Sequence, residues 1–479
     1  MCRVLFTGHT SLHSIHVAEI TFFRRQEMSA SAVARVPQAA SARVMPVSNV
    51  TGWRRHYLLL VLLLVYGVSM IDRQIMGVLI QPIKQEMGVS DSAMGLLTGL
   101  AFALFYSILA VPFGRFADRT NRRNLIAWCC AGWSVATGLC GMAVGFWSLT
   151  AARVGVAVGE AGSTAASTTM IADIYPPEQR SRAMSVFSLG PHLGSLVGLG
   201  VGAWIAQHYG WRSAFLWLAL PGVLVAVLLR LTCREPVRGA QDGRPAAQAV
   251  AEKFGDVMAA LARNKAFVGL GLASMLMAFS GYAIGMWNTA FLVRSHGLQL
   301  KDAGAIMGFI GGPGAIFGAL LSGWITDLMA RRDVRWQIGV PVLGTLISIP
   351  LGLAFYLNDS AGQWTLAGLQ IPHAIAYYGL FSIFSSFWAA PVFAALTNVI
   401  ASSRLATSLS IYNLLLTAVG GGLGPLTVGL LSDAFIVRAG SESLRWALVC
   451  MLAFYALALL IYAWTIKPYA SMVTTKKIV

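Results

Sequence analysis

Two charged residues, Arg153 and Glu160, lie in an apolar stretch that reads TAARVGVAVGEAGSTAAS, residues 150–167. In a helix they would share one face but lie about 10.5 Å apart along the axis, so each needs a partner from another helix. Asp72 and Arg73, in SMIDRQ, lie in a second apolar stretch. One charged side chain at the centre of a membrane helix costs about 2.5 to 3.5 kcal/mol, so all four together would cost roughly 10 kcal/mol. We therefore expect these residues to compensate one another.

The chemistry open to such a cluster is reversible proton binding. A nearby guanidinium stabilises an ionised carboxylate, whereas desolvation favours the neutral acid once the pairing breaks. A conformational change can therefore load or release a proton at Asp72 or Glu160, with Arg73 and Arg153 as their partners. The alternative is a permanent set of ion pairs that only fixes how the helices pack.

Composition places the chain in a membrane. Of its 479 residues, 57% are hydrophobic and 11% are charged, with a mean hydropathy of +0.68. Soluble domains carry about 25% charged residues. A helix needs roughly 20 apolar residues to cross the hydrocarbon. Twelve runs have this length, and they predict spans at 56–81, 93–113, 124–147, 149–172, 183–206, 213–231, 266–293, 303–326, 337–357, 371–399, 405–432 and 444–466.

The net charge of +16 is distributed by topology. Lys and Arg are concentrated in the loops that would lie on the same side as the amino terminus, and this asymmetry predicts that both termini are cytoplasmic. We therefore expect a multi-pass protein of the inner cell membrane. The charge is not gathered on one soluble face, so the sequence does not predict a nucleic-acid partner.

The chain divides into two six-helix halves. A long polar segment, 232–265, separates the sixth span from the seventh, and GRFADRTNRR (114–123) recurs as GWITDLMARR (323–332) after the second helix of each half. The predicted fold class is an all-α membrane protein with twelve transmembrane helices in two pseudo-repeats. Its predicted parts are a disordered cytoplasmic tail at 1–50, which could include a start-site extension before Met28 or Met45, bundles at 51–231 and 266–466, a cytoplasmic linker at 232–265 and a cytoplasmic tail at 467–479.

The first copy of the repeated loop is a candidate cytoplasmic gate. Its glycine allows close helix approach, and its charged residues lie at the membrane surface. Pairing that forms only when the cytoplasmic side is closed would favour the outward-open state. The alternative is a basic loop that serves topology alone. The predicted gate residues are Gly114, Asp118, Arg119, Arg122 and Arg123.

The GxxxDRxxRR pattern of this loop resembles the loop motif of the major facilitator superfamily. Several further stretches resemble the spinster branch of that superfamily: SMIDRQ (69–74), RVGVAVGEA (153–161), IADIYPPEQRSRAM (171–184), REPVRG (234–239) and GLGPLTVGLLSD (422–433). The resemblance implies the major facilitator fold and proton-coupled transport by alternating access. It also implies that the charges of helices one and four serve proton linkage and headgroup contact, with lysophospholipids or sphingoid phosphates as substrates.

Polar and aromatic residues of the second half are expected to face these charges across a cavity. A cavity with one charged wall and one aromatic wall suits an amphiphile with a polar head and an acyl chain. Two alternatives remain: a small organic anion, such as a sugar acid or aromatic acid, whose carboxylate binds Arg153 and Arg73, and a drug-like efflux substrate. The predicted cavity residues are Tyr282, Trp287, Asn288, Tyr378, Phe381, Tyr412 and Asn413.

The sequence offers no pattern for an enzyme. We find no phosphate-binding loop, no metal-ligand cluster and no nucleophile with its base. No cofactor is predicted, and an ion gradient is favoured over ATP as the energy source. The expected partners are the substrate, protons and membrane lipids, and the protein is expected to be a monomer.

Overall fold

Long apolar helices make up nearly all of the structure. The computed structural model describes residues 50–241, 254–358, 362–366, 369–401 and 404–478, which fall within one unit, Val47–Val479. The predicted tail at 1–50 therefore lies outside the described residues except for Val50, as do residues 242–253 of the predicted linker.

Seven helices form the first half of the described chain. The second of them contains a π-helical turn at Leu96–Leu100. The helices are α1 (Trp53–Met87), α2 (Asp91–Arg119), α3 (Arg122–Gly141), α4 (Phe146–Glu160), α5 (Ser163–Ile174), α6 (Pro177–Phe187) and α7 (Leu189–Thr232).

The second half contains the remaining described helices and one hairpin. The antiparallel strands β1 (Gln363–Leu366) and β2 (Leu369–Pro372) pair Trp364 with Ile371. The helices are α8 (Phe254–Arg263), α9 (Lys265–Ser295), α10 (Leu300–Ala330), α11 (Trp336–Leu357), α12 (Ala374–Phe384), α13 (Ala389–Val399), α14 (Leu405–Leu415), α15 (Gly424–Ala439) and α16 (Ser443–Ile478), with π-helical turns at Met307–Gly311 and Leu416–Leu423.

These helices supply the twelve predicted crossings. Among the described residues, eight helical stretches are long and apolar enough to span a membrane. Two of them, Pro177–Thr232 and Thr407–Thr474, contain 56 and 68 residues and so are long enough for two crossings each. The helix α3 and the consecutive pair α4 and α5 supply the other two. The prediction of a twelve-helix membrane fold is confirmed.

Glycines in backbone conformations that other residues rarely adopt separate the paired crossings. Gly210, inside α7, has φ 82° and ψ 160°, and Gly440, directly after α15, has φ 54°. Because glycine has no Cβ, it takes such angles without a steric cost. The tenth span differs from its prediction at 371–399, because Ile371 and Pro372 belong to β2 and the helix begins at Ala374.

Each half packs mainly within itself. In the first half, α7 packs along both α1 and α3, and in the second half, α16 packs along α9 and α11. Small residues permit this closeness: a Cβ at Gly67 would lie 3.3 Å from the carbonyl oxygen of Gly190, and a Cβ at Gly190 would lie 2.6 Å from that of Leu63. The charged residues of α1 are therefore held against a tightly packed scaffold.

Candidate functional site

A buried ion pair joins α1 to α4. Glu160, the last residue of α4, is 1% exposed, and its Oε2 accepts hydrogen bonds from Arg73 Nε at 2.7 Å and Ser69 Oγ at 2.8 Å. Both donors are on α1, one helical turn apart. Charge-assisted hydrogen bonds of this length are stronger than those between neutral groups. This pair compensates two of the four buried charges.

The other two charges meet in a different way. Arg153 donates from Nη1 to the main-chain oxygen of Asp72 at 2.9 Å, and both residues are 1% exposed. Neither carboxylate oxygen of Asp72 has a hydrogen-bond partner among the described residues. Trp133 Nε1 and Thr137 Oγ1 of α3 face this carboxylate without reaching hydrogen-bond geometry. Asp72 is thus a buried acid whose own charge, if present, would be poorly compensated.

Aromatic rings of α2 complete this cluster. The Phe102 ring lies 4.9 Å from the guanidinium carbon of Arg73 and 4.8 Å from that of Arg153, so it contacts both cations. Tyr106, one turn later, lies 4.7 Å from the Arg73 guanidinium. A cation–π contact to a desolvated guanidinium contributes about 2 kcal/mol. The arginines are therefore stabilised from α2 as well as from the carboxylates.

The structure brings together all four residues that the sequence singled out for proton coupling. The pairing differs in one respect from the expected mutual compensation, because Arg153 contacts the backbone of Asp72 rather than its carboxylate. The physical reason is that the side chain of Asp72 is directed toward α3. Among the four, Arg73 retains the most exposure, with 21% of its side chain accessible. Their role in coupling stays a prediction.

The predicted gate loop is bound within the first half. Arg122 is buried, and it donates to Asp173 at 2.6 Å and to Glu235 at 2.9 Å. Arg123 donates from its main-chain nitrogen to Glu235 at 2.8 Å and from its side chain to the carbonyl of Cys233 at 3.0 Å. Three stretches that the sequence resemblance singled out, around Arg122, Asp173 and Glu235, thus converge on one network.

The remaining gate residues are exposed or uncrowded. Asp118 and Arg119 are exposed, and the main-chain oxygen of Asp118 accepts a hydrogen bond from Arg238. A Cβ at Gly114 would meet no atom within 4 Å, and the same holds for Gly323 in the second copy of the loop. The two loop copies therefore do not pack tightly at their glycines in this conformation.

Several predicted cavity residues are part of the packed second half. Trp287 is fully buried and donates from Nε1 to the carbonyl of Pro425 at 3.0 Å. The amide oxygen of Asn288, also buried, accepts from Tyr356 at 2.8 Å. These contacts lie between helices of the same half and hold α9 to its neighbours.

The other predicted cavity residues divide by exposure. Phe381 and Tyr412 are buried, whereas Tyr282 is 47% exposed and Asn413 is also exposed. Tyr378 is half-buried, and its ring packs against that of Phe355 at a tilt of 40°, with 5.1 Å between the ring centroids. Tyr282 lies close enough to Arg73 to influence its electrostatics. A residue of the second half therefore lies near the partly exposed cation of the first.

The two halves are joined at one end of the membrane-spanning region. We call this side of the protein, where α1 finishes at Met87, the far end. The opposite side, where α1 starts at Trp53, is the near end. At the far end Asp91 is fully buried and accepts from Lys84 and Arg294, with both guanidinium bonds at 2.7 Å. Ser432 donates to the same carboxylate at 2.7 Å. Because Arg294 and Ser432 belong to the second half, this carboxylate links the halves.

A second carboxylate reinforces this connection. Asp433 accepts from the main-chain nitrogens of Asp91 at 3.0 Å and Ser92 at 2.8 Å, so a residue of the second half caps the start of α2. Arg294 also donates to Gln81 at 2.6 Å. Carboxylates at a helix amino terminus are stabilised by the unpaired N–H groups and the helix dipole.

Small residues let the helices meet closely at the far end. A Cβ at Gly77 would lie 2.9 Å from the carbonyl oxygen of Met286, and one at Gly95 would lie 2.6 Å from that of Pro425. Such distances leave no room for a side chain. The far end is therefore closed, whereas Gly114 and Gly323 at the near end have open space around them.

Sequence reasoning missed the residues that close the far end. Asp91 and Arg294 lie at the ends of their helices, where charged residues are common, so nothing in the sequence set them apart. Phe102 was also missed, because one aromatic residue in an apolar span carries no distinctive pattern. Asp173 and Glu235 lie in stretches noted for their family resemblance, but the sequence did not indicate that both bind Arg122.

Comparisons with known proteins agree with this architecture. A family model described as Major Facilitator Superfamily matches residues 62–425. An MFS-type efflux pump of Mycolicibacterium smegmatis is 31% identical over 394 residues, which cover 82% of this chain and 88% of the relative. A D-galactonate transporter of Escherichia coli is 25% identical over 418 residues, which cover 82% of this chain and 92% of that transporter.

A solved structure extends the similarity to three dimensions. The crystal structure of a bacterial homologue of the human lysosomal transporter spinster, in an inward-facing and unoccupied conformation, matches with a TM-score of 0.77 and 29% sequence identity, covering 87% of this chain and 97% of that one. The chain therefore belongs to the Major Facilitator Superfamily; it is an integral membrane transporter rather than an enzyme, and it resembles the spinster transporters.

Proposed function

We propose that the protein is a proton-coupled transporter that moves a lysophospholipid- or sphingoid-like amphiphile by alternating access. The observation that carries this proposal is the buried cluster of Asp72, Arg73, Arg153 and Glu160. Within it one carboxylate is ion-paired and the other is not, although both are 1% exposed. Two acids in such different environments can hold different protonation states in one conformation.

In the proposed cycle Asp72 carries the proton in this conformation. Burying an ionised carboxylate without a hydrogen-bond partner is costly, and neither oxygen of the buried Asp72 carboxylate has such a partner among the described residues. The Glu160 carboxylate instead accepts hydrogen bonds from Arg73 and Ser69. When the halves move, a change in the position of Arg73 or Arg153 relative to the two acids would redistribute the proton. Uptake and release on opposite sides of the membrane would then drive the cycle.

The closed far end corresponds to an inward-facing state if the near end is cytoplasmic. The distribution of Lys and Arg supports this orientation, and the bacterial spinster homologue that matches this chain is inward-facing. In this assignment both termini lie in the cytoplasm, and the membrane is the inner cell membrane. The loop of Gly114 to Arg123 then closes the near end in the opposite state, and the far-end contacts separate. We expect the protein to act as a monomer.

Arg73 is the proposed headgroup contact. Its side chain is 21% exposed, the most of the four charged residues, and it lies near Tyr106 and Tyr282. A phosphate ester can bind a guanidinium while an acyl chain follows apolar and aromatic surface. Tyr282 and Asn413 are the exposed members of the predicted cavity wall. Trp287, Asn288 and the buried tyrosine Tyr412 would instead position those residues.

A small organic anion is the second candidate substrate. The similarity to a D-galactonate transporter supports it, because a carboxylate would bind Arg73 as a phosphate does. Because the chain is also similar to an efflux pump, drug-like molecules are a third class of candidate substrate. Chain-length dependence separates these classes, since only an amphiphile with an acyl chain gains affinity from each added CH₂, by about 0.8 kcal/mol.

The test is transport in proteoliposomes with and without an imposed pH gradient. Lysophospholipids of increasing chain length would be compared with D-galactonate, using the wild type and Glu160→Gln. Glu178→Gln is the matched control, because it removes the same charge from an exposed position in α6. We expect lysolipid transport that increases with chain length, is driven by the gradient and is lost in Glu160→Gln but not in Glu178→Gln.

Other results would reject parts of the proposal. Gradient-driven uptake of D-galactonate without lysolipid transport would replace the lipid by a small anion. Lysolipid transport that is indifferent to the pH gradient and to Glu160→Gln would reject the proton coupling while leaving the substrate class in place.

A further inference from the structure

A basic cavity lies at the near end, between the start of α1 and the end of α7. Its volume is about 420 Å³. Three arginines contribute to its lining, and they come from three separate parts of the chain: Arg54 from the first turn of α1, Arg123 from the start of α3 and Arg234 from the segment after α7. This convergence does not involve the buried cluster of Asp72 and Glu160.

The positive charge of this cavity is not cancelled by its walls. None of the described residues that line it is acidic. Arg54 and Arg234 are exposed, and the side chain of Arg123 donates to neutral oxygens of Cys233 and Asn124. The nearby Glu235 side chain binds Arg122 and the main chain of Arg123. Three guanidinium groups therefore face a space that suits an anion.

Aromatic residues place the cavity at the membrane surface. Trp53 and Tyr57 also line it, and their rings contact each other at 5.8 Å. Trp53 is 70% exposed, and Tyr57 is hydrogen-bonded to Thr232 at 2.8 Å, which ties α1 to α7. Trp and Tyr are enriched where a membrane helix meets the headgroups.

An apolar groove adjoins the basic cavity. It has a volume of about 180 Å³ and is lined by Trp128 and Ala131 of α3 and by Val227 and Leu231 of α7, together with Arg230. Leu231 lines both spaces. Trp128 and Leu231 are 74% and 75% exposed, so this surface faces the lipid hydrocarbon rather than the interior of the protein.

We infer that the two spaces together bind one anionic phospholipid of the leaflet at the near end. Its phosphate binds Arg54, Arg123 and Arg234, and an acyl chain lies in the groove beside Leu231. A free phosphate or a soluble phosphate ester would share the headgroup chemistry. The groove favours the lipid, because only a molecule with an acyl chain fills both spaces. Basic pockets between helices on the cytoplasmic side are suited to anionic headgroups.

The test measures lipid binding by the purified, delipidated full chain in detergent. The concentration dependence of Tm would be recorded with phosphatidylglycerol, with phosphatidylcholine of the same chains, with glycerol 3-phosphate and with inorganic phosphate. We expect phosphatidylglycerol to raise Tm at the lowest concentration. The double variant Arg54→Gln/Arg234→Gln should weaken its apparent binding by roughly 10- to 30-fold.

Two controls separate the site from general electrostatics and from misfolding. Arg182→Gln/Arg263→Gln removes the same charge from exposed residues outside the cavity and should bind as the wild type does. Val227→Trp fills the groove and should weaken phosphatidylglycerol binding, whereas Leu224→Trp, on the same helix outside the lining, should not.

Three outcomes would overturn the inference. Equal stabilisation by phosphatidylcholine would show that the headgroup charge is not recognised. Equal stabilisation by glycerol 3-phosphate or inorganic phosphate would assign the basic cavity to a soluble anion instead of a lipid. Unchanged phosphatidylglycerol binding in Arg54→Gln/Arg234→Gln would place the lipid elsewhere.

Discussion

Arg73 on α1 donates a 2.7 Å hydrogen bond to Glu160 at the end of α4, and this buried ion pair joins two helices of the first half. The preceding residue, Asp72, is equally buried but has no partner for its carboxylate among the described residues. Of two adjacent residues on α1, Arg73 is therefore paired with Glu160, whereas the carboxylate of Asp72 is not paired with a cation of the described chain. The proposed function depends on this difference between the surroundings of the two acids.

Loss of Arg73 should destabilise the protein strongly. Arg73→Gln leaves the Glu160 carboxylate buried without its cation, and breaking a buried ion pair in this way costs about 3 to 5 kcal/mol. The double variant Arg73→Gln/Glu160→Gln removes the stranded charge and should recover most of the loss. Thermal unfolding of the four proteins in detergent measures this as a double-mutant cycle. Additive effects in the cycle would mean that the two side chains do not interact.

Asp72 and Glu160 should respond differently to neutralisation. If Asp72 already carries a proton in this conformation, Asp72→Asn replaces one neutral group with another and should change stability by no more than about 1 kcal/mol. Transport driven by a pH gradient should nevertheless be lost, because Asn cannot release a proton. The measurement pairs Tm with gradient-driven transport. A large loss of stability in Asp72→Asn would indicate that the carboxylate is ionised and paired.

The twelve spans were predictable because a helix that crosses hydrocarbon must be long and apolar, and few other elements share that pattern. The positions of Asp72, Arg73, Arg153 and Glu160 were predictable for the same reason, since a charge inside such a run is conspicuous. The pairing among these four residues was not predictable from the sequence. It depends on how α1, α3 and α4 are rotated against one another, and the apolar pattern leaves that rotation undetermined.

Removal of the far-end ion pair should shift the conformational equilibrium. Arg294 makes two hydrogen bonds to Asp91 across the halves, and a hydrogen bond to a charged group contributes about 1.5 to 3 kcal/mol. Arg294→Gln should therefore reduce the ratio of far-end-closed to far-end-open molecules by about tenfold or more. Distances between spin labels on the ends of α7 and α10 report this ratio. Arg438→Gln, in the last turn of α15, is a control that removes a charge from an exposed position.

The far-end pair illustrates the limit of sequence reasoning. Asp91 begins one helix and Arg294 lies in the last turn of another, and each position is ordinary for its charge. Their partnership links parts of the chain that are far apart in sequence, and only the packing of the two halves brings them together. The β-hairpin before α12 was missed for a related reason, since two four-residue strands leave no periodic signal.

The gate loop should act in the opposite conformation. Asp118 is exposed at the near end here, so Asp118→Asn should leave this state unaffected while weakening the state in which the near end closes. The same spin-label measurement should then show an increased far-end-closed population, and Asp256→Asn, at an exposed position of α8, should show no change. If the far-end-closed population is the same in Asp118→Asn as in the wild type, Asp118 does not act in the gate.

Close packing at Gly95 should be essential for sealing the far end. An added Cβ would lie 2.6 Å from the carbonyl oxygen of Pro425 and 2.8 Å from the Cα of Leu426, and both are backbone atoms that cannot rotate away. Gly95→Ala should therefore hold α2 and α15 apart and increase the far-end-open population. Gly285→Ala is the matched control, because a Cβ there meets nothing within 4 Å. In an ordinary helix the change from glycine to alanine stabilises by about 1 kcal/mol, so the control should be neutral or slightly stabilising. A Gly95→Ala protein that labels and melts like Gly285→Ala would show that the far end tolerates a looser contact than its geometry indicates.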